Sequence, residues 1–303
     1  MFVVNHRKII LTILAVLVIA AFVVVGVFGL KPSIDFTGGT FLELTYKGTP
    51  PTASEIETKL APLNLGKIEL QTVGDHSLVV RAKTLTEDEH NGLLAIVGAL
   101  PANDLVKEEQ YSSIGPSIGS ELKRKAAWGV ALVIIFIILY IVFAFRKVGR
   151  IVPGWLYAAV TFITFIHDMM IPVGVFALLG HFYHVQVDAL FITALLAILG
   201  YSINDTIIVL DRVRENLYRA TPKEQETDFA GIVGRSLRQT AVRSINTSFT
   251  VILVLLALIF VGSPATKWFA LTLAIGAAAG TYSSIFLASP LLVILQGLRK
   301  AKK

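Results

Sequence analysis

Residues 9–30 read IILTILAVLVIAAFVVVGVFGL, an apolar stretch without a charged side chain. At about 1.5 Å per residue, a helix of this length crosses the hydrocarbon core of a bilayer, which is about 30 Å thick. The stretch is also longer than the apolar segment of a signal peptide, about 7–15 residues, which predicts an uncleaved helix. Five further apolar stretches follow, at residues 126–145, 151–179, 189–210, 243–262 and 268–295. The sequence therefore predicts six transmembrane helices.

The charge of the chain is low and unevenly distributed. Of the 303 residues 54% are apolar and only 16% are charged, whereas soluble proteins have about 25% charged residues. The net charge of +6 comes from basic clusters at Arg7 and Lys8, at Arg146, Lys147 and Arg150, between Arg212 and Arg243, and at Arg299, Lys300, Lys302 and Lys303. Cytoplasmic loops carry such an excess of basic residues, so we expect both termini in the cytoplasm and residues 31–125 outside. The basic charge thus indicates topology, and no nucleic-acid partner is predicted.

Residues 31–125 alternate between strand and helix patterns. Residues 40–46, TFLELTY, alternate apolar and polar side chains as a half-buried strand does. Further strands are predicted at residues 67–73, 77–83 and 105–112, and helices at residues 52–63 and 87–100. This βαββαβ order is that of a ferredoxin-like α+β domain, inserted here between the first and second spans. One sheet face is left free, either for solvent in a plain spacer domain, for a partner domain or for an extended polypeptide.

The other boundaries follow the apolar stretches. Residues 1–30 contain the cytoplasmic N-terminus and the first span, and residues 126–295 contain spans two to six. Within them, residues 211–242 are charged and helix-forming, which predicts a cytoplasmic helical hairpin between spans four and five. Residues 296–303 form a basic cytoplasmic tail.

The last predicted span is rich in small residues. Gly276 and Gly280 have GxxxG spacing, and Ser283 and Ser284 follow them. Small residues let helix backbones approach closely in lipid, so we predict a packing role for this face.

Asp205 is the strongest functional candidate within the predicted spans. A charged side chain at the centre of a transmembrane helix costs about 2.5–3.5 kcal/mol, so each one is a candidate for function. Asp205 lies in GYSINDT, residues 200–206 of the fourth span. Ser202 and Tyr201 precede it by three and four residues and share its helix face. We predict that both support a proton relay through Asp205.

Arg243, at the start of the fifth predicted span, is the second candidate. Asn246 and Thr247 follow it at i+3 and i+4, which makes a second polar stripe and the other two candidates for support of the relay. The guanidinium can snorkel to the interface or reach inward to Asp205. A nearby cation favours the ionised carboxylate and burial favours the neutral one, so a carboxylate between these effects can load and release a proton. The alternative is structural: a static ion pair, or a neutral aspartate that joins two helices.

His167 and Asp168 lie inside the third predicted span, just before Pro172. We favour a structural role for this pair, at a kink caused by the proline. An aspartyl-protease dyad with Asp205 is disfavoured, because Asp168 is predicted to lie about 24 Å from the cytoplasmic side and Asp205 about 9 Å from it. The chain also lacks a Gly-x-Gly-Asp motif, zinc-ligand spacing, a phosphate-binding loop and a nucleophile elbow. No enzymatic activity, metal or organic cofactor is therefore expected.

Five motifs in register resemble those of one known family. They are IDFTGGT at residues 34–40, IGPSIG at 114–119, GYSINDT at 200–206 with DRVREN at 211–216, RSINTS at 243–248 and GTYSSIF at 280–286. With the predicted topology, they resemble the SecF family of bacterial protein export, within the resistance-nodulation-division superfamily. That resemblance implies one six-helix half of a twelve-helix bundle. Ser244, where many relatives have threonine, is a small departure.

The resemblance implies a function that composition does not. The family acts with SecD in the bacterial inner membrane and uses the proton-motive force to complete preprotein translocation. Its proton-pathway aspartate and arginine fall on Asp205 and Arg243. The implied partners are SecD, the SecYEG translocon with YajC and YidC, unfolded preprotein outside the membrane, and lipid, with the proton gradient as the energy source. A passive scaffold for SecD and the translocon is the main alternative, and a small-molecule exporter of the same superfamily is disfavoured by the chain length.

Overall fold

The structure is a computed structural model that describes residues 2–48, 50–63, 65–66, 68–73, 75–98, 105–145 and 152–301. The chain divides into two compact units, one of residues 32–127 and one of residues 1–31 and 128–303. Some basic residues used to predict the topology lie outside the described residues, namely Arg146, Lys147, Arg150, Lys302 and Lys303.

The described elements, in chain order, are α1 (Phe2–Asn5), α2 (Arg7–Phe28), α3 (Ile34–Thr37), β1 (Gly39–Tyr46), α4 (Ala53–Leu60) with a 3-10 turn (Ala61–Leu63), β2 (Glu69–Val73), β3 (Ser77–Ala82), α5 (Glu87–Gly98), β4 (Leu105–Ile114), α6 (Pro116–Ala144), α7 (Gly154–Tyr183), α8 (Ala189–Arg219), α9 (Pro222–Thr227), α10 (Phe229–Val261), α11 (Pro264–Ser283), a π-helical segment (Ser284–Ala288) and α12 (Ser289–Ala301).

The unit of residues 32–127 contains a four-stranded antiparallel sheet in the order β2-β3-β1-β4. This is the strand order of a ferredoxin-like domain, as predicted. Alternate side chains of β1, including Leu42 and Leu44, are buried on one face against Ile56 of α4 and Leu93 of α5. A capping box starts α4, because Thr52 and Glu55 exchange hydrogen bonds between side chain and backbone.

Six helices in the described residues are long and apolar enough to cross a membrane: α2, α6, α7, α8, α10 and the continuous α11–π–α12 helix. The predicted membrane fold is confirmed. The helices α7, α8 and α11–π–α12 form the buried centre of their unit, whereas the apolar residues of α2 and α6 are mostly exposed. Apolar side chains on the outside of such a unit are suited to lipid or to other transmembrane helices.

Two glycines bring α11 close to α8. A Cβ on Gly280 would lie 2.9 Å from the Cβ of Ser202, and one on Gly276 would lie 2.2 Å from Ile198 Cδ1. Ordinary carbon contacts are about 3.5–4.0 Å, so neither position has room for a side chain. The predicted packing role of the small residues is therefore present at the glycines.

Residues 211–242, predicted as a cytoplasmic hairpin, consist largely of extensions of the two flanking helices. Helix α8 runs on to Arg219, and α10 starts at Phe229 after the short helix α9. Asn216 Nδ2 joins the two extensions by donating to Ser236 Oγ at 2.8 Å and to Gln239 Oε1 at 2.9 Å.

Candidate functional site

Asp205 is buried in α8, with 6% of its surface exposed. Its Oδ2 lies 2.5 Å from the hydroxyl of Ser284, the first residue of the π segment. The same hydroxyl lies 2.9 Å from the carbonyl oxygen of Thr281. Ser284 has one hydroxyl proton, so it donates to an ionised Asp205, or accepts from a protonated Asp205 and donates to Thr281. Both protonation states of Asp205 thus have a hydrogen-bond partner.

Asp168 is fully buried in α7 and forms the centre of a larger polar cluster. Its Oδ1 lies 2.8 Å from His167 Nδ1. Its Oδ2 accepts from the hydroxyl of Ser283, at 2.9 Å, and from the hydroxyl of Ser202. Ser283 Oγ is also 3.1 Å from the Gly280 carbonyl oxygen, so it has the same choice of acceptors as Ser284.

His167 extends this cluster to α11. Its Nε2 lies 3.1 Å from the Tyr282 hydroxyl, and the two rings meet edge to face with their centroids 5.2 Å apart. An ionised carboxylate can only accept, so we assign the His167 proton to Nδ1, which leaves Nε2 to accept from Tyr282. The fixed imidazole thus orients one oxygen of Asp168, and the serines hold the other.

Ser202 and Tyr201, predicted to support Asp205 directly, bond elsewhere in the structure. Ser202 donates to Asp168 on α7, and Tyr201 donates to Ser248 Oγ on α10 at 2.8 Å. The predicted polar stripe on α8 therefore exists, but its members join three helices instead of meeting at one carboxylate.

Arg243, Asn246 and Thr247 lie on the exposed face of α10. Thr247 Oγ1 donates to the carbonyl oxygen of Arg243 at 2.9 Å, within the helix. Among the residues that the structure describes, Arg243 forms no ion pair with Asp205. The buried face of α10 is instead formed by small side chains such as Ser244 and Ser248.

The predicted difference in depth between the two aspartates was wrong. We placed the end of the fourth span at Asp211, but α8 continues to Arg219. Asp205 lies 14 residues before Arg219, and Asp168 lies 14 residues after the start of α7 at Gly154, so each is about 21 Å from the corresponding helix end. Consecutive serines of one helix therefore reach both carboxylates.

A protease-like arrangement is still not present, because each carboxylate has its own hydrogen-bond partners and the described bonds do not join one aspartate to the other. Sequence reasoning missed the roles of Ser283 and Ser284, which it treated as packing residues, and of Tyr282, which it quoted only within the motif at residues 280–286. The signal was four consecutive polar side chains, Thr281 to Ser284, in an apolar helix. Within the described ranges, no group of three or more His, Cys, Asp or Glu side chains could hold a metal ion.

Comparison with known proteins identifies the family. The family model "Protein export membrane protein SecD/SecF, C-terminal" matches residues 99–298. The chain is 40% identical to the protein translocase subunit SecF of Thermobaculum terrenum, over 88% of this chain and 84% of that protein. It is 34% identical to the SecF of Escherichia coli O157:H7, over 91% of this chain and 81% of the relative.

The solved structures that it matches are of longer proteins. The crystal structure of SecDF from Thermus thermophilus, described as a translocon-associated membrane protein, matches with a TM-score of 0.79 and 32% identity, over 97% of this chain and 38% of that chain. A second SecDF structure, in a super-membrane-facing form, matches with a TM-score of 0.68 and 30% identity. The chain therefore spans about two fifths of the length of SecDF. With its six apolar helices and its match to SecF proteins over most of their length, the chain belongs to the SecF family of membrane-embedded protein translocase subunits.

Proposed function

We propose that the chain works with a SecD-type partner and uses the proton-motive force to complete preprotein translocation across the bacterial inner membrane. The names of its relatives support the export role, since they are protein translocase subunits. SecDF relatives are much longer single chains, which supports a separate partner for this chain. The basic clusters favour both termini in the cytoplasm and residues 31–125 outside. Contacts with SecYEG, YajC and YidC remain predictions.

The arrangement around Asp205 is the observation that carries this proposal. Its hydrogen-bond partner among the described residues is a serine hydroxyl with an alternative acceptor, rather than a fixed cation. A buried carboxylate locked to an arginine would favour its ionised form strongly, whereas one beside an adaptable hydroxyl can exist in both forms. Asp205 is thus suited to accept a proton from one side of the membrane and to release it to the other.

Arg243 is proposed to act in the same proton path through the partner. Its side chain is exposed on α10, and the apolar faces around it are also uncovered in this single chain. A partner helix bundle packed on this face would exclude water from the arginine. An acidic group of that bundle would then pair with the guanidinium. One elementary charge moved through 100 mV releases about 2.3 kcal/mol, enough to drive a small conformational step.

The test compares two aspartates of one helix. Asp205→Asn keeps the size of the side chain but removes its titration. Asp188→Asn, at the N-cap of α8, is the matched control, because asparagine can also accept the cap hydrogen bond from the Phe191 backbone N–H. Inverted vesicles that contain the chain with its SecD-type partner would be assayed for proton flux and for potential-dependent preprotein release. Recovery of the complex must be equal for all variants.

We expect Asp205→Asn to abolish both proton flux and the potential-dependent part of release, while Asp188→Asn retains them. If Asp205→Asn retains both activities, Asp205 is structural and the chain acts as a passive scaffold for its partner. If release persists but flux is lost, the two processes are not coupled through this residue.

A further inference from the structure

A row of hydroxyl-bearing side chains leads along α7 to Asp168. Tyr157, Thr161 and Thr164 precede Asp168 on this helix, and all four are fully buried. At about 100° per residue, the four positions fall within an arc of about 60° on one helix face. The surrounding core is apolar and includes Val160 of the same helix. Polar groups therefore form a narrow line through an otherwise dry interior.

Two hydroxyls of this line have no hydrogen-bond partner among the described residues, although buried hydroxyls usually have one. Among the described residues, neither the Tyr157 hydroxyl nor Thr161 Oγ1 has a hydrogen bond. Thr164 Oγ1, in contrast, bonds to the Val160 carbonyl oxygen at 2.9 Å, as helix threonines commonly do. Buried hydroxyls are nearly always satisfied by protein or by ordered water, so these two groups indicate bound water beside α7.

A third unpartnered hydroxyl comes from the opposite helix. Thr206 of α8 is fully buried, and its Oγ1 has no hydrogen bond within the described part of the chain. It lies one turn after Ser202, which contacts Asp168. Helices α7 and α8 run in opposite directions, so Thr206 is about level with Thr164. The second helix thus adds an unsatisfied hydroxyl within about one helical turn of Thr161.

The spacing suits a single file of water molecules. Successive members on α7 are three or four residues apart, which is a rise of about 4.5–6 Å. Two hydrogen bonds of about 2.8 Å through one water cover the same distance. The rise between successive members therefore matches one water molecule with a hydrogen bond on each side.

The line ends near an open, polar cavity. Tyr157 stacks on Phe145 with ring centroids 4.5 Å apart, and the Arg214 guanidinium lies 5.7 Å from the centre of the Phe145 ring. Arg214, Asp211 and Glu215 line a cavity of about 670 Å³ at this end of the unit. This is the end that the basic clusters predict to be cytoplasmic.

We propose that Asp168 is a second proton-carrying carboxylate, which exchanges protons with the cytoplasm through a water-filled line formed by Tyr157, Thr161, Thr164 and Thr206. The proposal rests on the proposed proton-coupled function. Ser283 and Ser284 are consecutive residues of one helix, and they donate to Asp168 and Asp205 respectively. Along the line each oxygen accepts a proton from one neighbour and passes its own to the next, with no net chemical change.

The structure shows where the other ionisable groups near Asp168 lie and what they bond to. His167 bonds to one carboxylate oxygen, and Tyr282 of α11 bonds to His167. Asp205 lies one turn from Ser202 on α8. Helix α2 also packs on α7, but its charged residues are confined to Arg7 and Lys8 at its start. Asp168 is thus the only carboxylate of α7 that the line reaches, within the residues described.

The first test measures water access and does not need proton transport. The chain has no cysteine, so single cysteines can be introduced directly. Thr161→Cys places a thiol in the line, and Ile163→Cys places one at nearly the same depth on the outer face, where Ile163 is 40% exposed. Silver ions are small and react with thiolates, which form only in contact with water.

We expect silver added from the cytoplasmic side to protect Thr161→Cys, but not Ile163→Cys, from later maleimide labelling in denaturant. Equal protection of the two cysteines, or none at Thr161→Cys, would overturn the water line. This result is independent of whether the complex carries protons.

The second test measures transport in the complex with the SecD-type partner. Thr161→Val removes a hydroxyl that has no protein partner and keeps the shape of the side chain, so the variant should fold normally. Thr193→Val, on the exposed face of α8, is its control. We expect at least a threefold loss of proton flux for Thr161→Val and at least tenfold for Asp168→Asn, with Thr193→Val unchanged.

The outcomes separate the two proposals. Loss of flux in Asp205→Asn but full flux in Thr161→Val and Asp168→Asn would overturn the role of the line and leave the proposed function standing. A wild-type complex that carries no proton flux would overturn the proposed function and the relay role together, even if silver reaches Thr161→Cys.

Discussion

Gly280 allows a test of the close approach between α8 and α11 that holds both carboxylates in place. A Cβ at this position would lie 2.9 Å from the Cβ and 3.2 Å from the Cα of Ser202. Both are atoms of the partner helix that no side-chain rotation can move away. Since ordinary carbon contacts start at about 3.5 Å, Gly280→Ala must separate the helices by roughly 0.3–0.6 Å.

The expected cost follows from two opposing effects. Overpacking a tight site costs about 1–3 kcal/mol, and contact with rigid atoms places this site in the upper half of that range. Alanine is also a better helix former than glycine by about 0.8–1.0 kcal/mol, which offsets part of the loss. We therefore expect Gly280→Ala to lower the free energy of unfolding by about 1–2 kcal/mol.

Gly200→Ala is the matched control, because it lies in α8 and a Cβ there meets no atom within 4 Å. It has the same gain in helix propensity and no clash, so the two variants should differ by about 2–3 kcal/mol. Reversible unfolding of the full chain in mixed detergent micelles measures this difference. Equal stabilities would refute the close approach of α8 and α11 at Ser202.

Other predictions concern other parts of the chain. Leu42→Ala, in the fully buried core of the unit of residues 32–127, should destabilise that unit by about 2–5 kcal/mol and speed hydrogen exchange in β1. Asn216→Ala removes two hydrogen bonds between α8 and α10, one of them to Ser236, and should speed proteolysis of the connection between these helices. Hydrogen bonds from the Thr52 backbone and side chain hold the pKa of Glu55 below its usual range, so carboxyl NMR titration should give a higher pKa in Thr52→Ala. Because the folded pKa is lowered, this cap stabilises α4 at neutral pH, and its contribution is lost as the pH falls through the lowered pKa of Glu55.

The six spans and the ferredoxin-like domain could be predicted because their signals are local. A stretch such as residues 9–30 needs no partner to be recognised as a transmembrane helix, and the alternation in residues 40–46 defines a strand by itself. The strand order then follows from the βαββαβ sequence of elements. Asp205 was also recognisable, since a carboxylate in an apolar stretch is rare for energetic reasons.

The partners of the carboxylates could not be predicted, because they depend on how distant helices meet. Ser283 and Ser284 are as compatible with close packing as with hydrogen bonding until the position of α11 is known. The depth of Asp205 was misjudged because charged residues from Asp211 onward resemble a loop boundary, although α8 continues through them to Arg219. The position of Arg243 on α10 is decided by the small residues beside it. These pack into the core, which leaves Arg243 on the exposed face of the helix.

The π segment at Ser284–Ala288 has a consequence for how this helix tolerates changes in length. A π turn contains one residue more than an α turn, so the helix before and after it is out of phase with a regular α-helix. Deleting one residue from an ordinary transmembrane helix rotates everything beyond the deletion by about 100°. Here a one-residue deletion would remove the surplus residue and restore a regular helix, with the apolar contacts of α12 retained. Relatives that lack this residue would thus keep the membrane architecture while changing the pair of serines that face the two carboxylates.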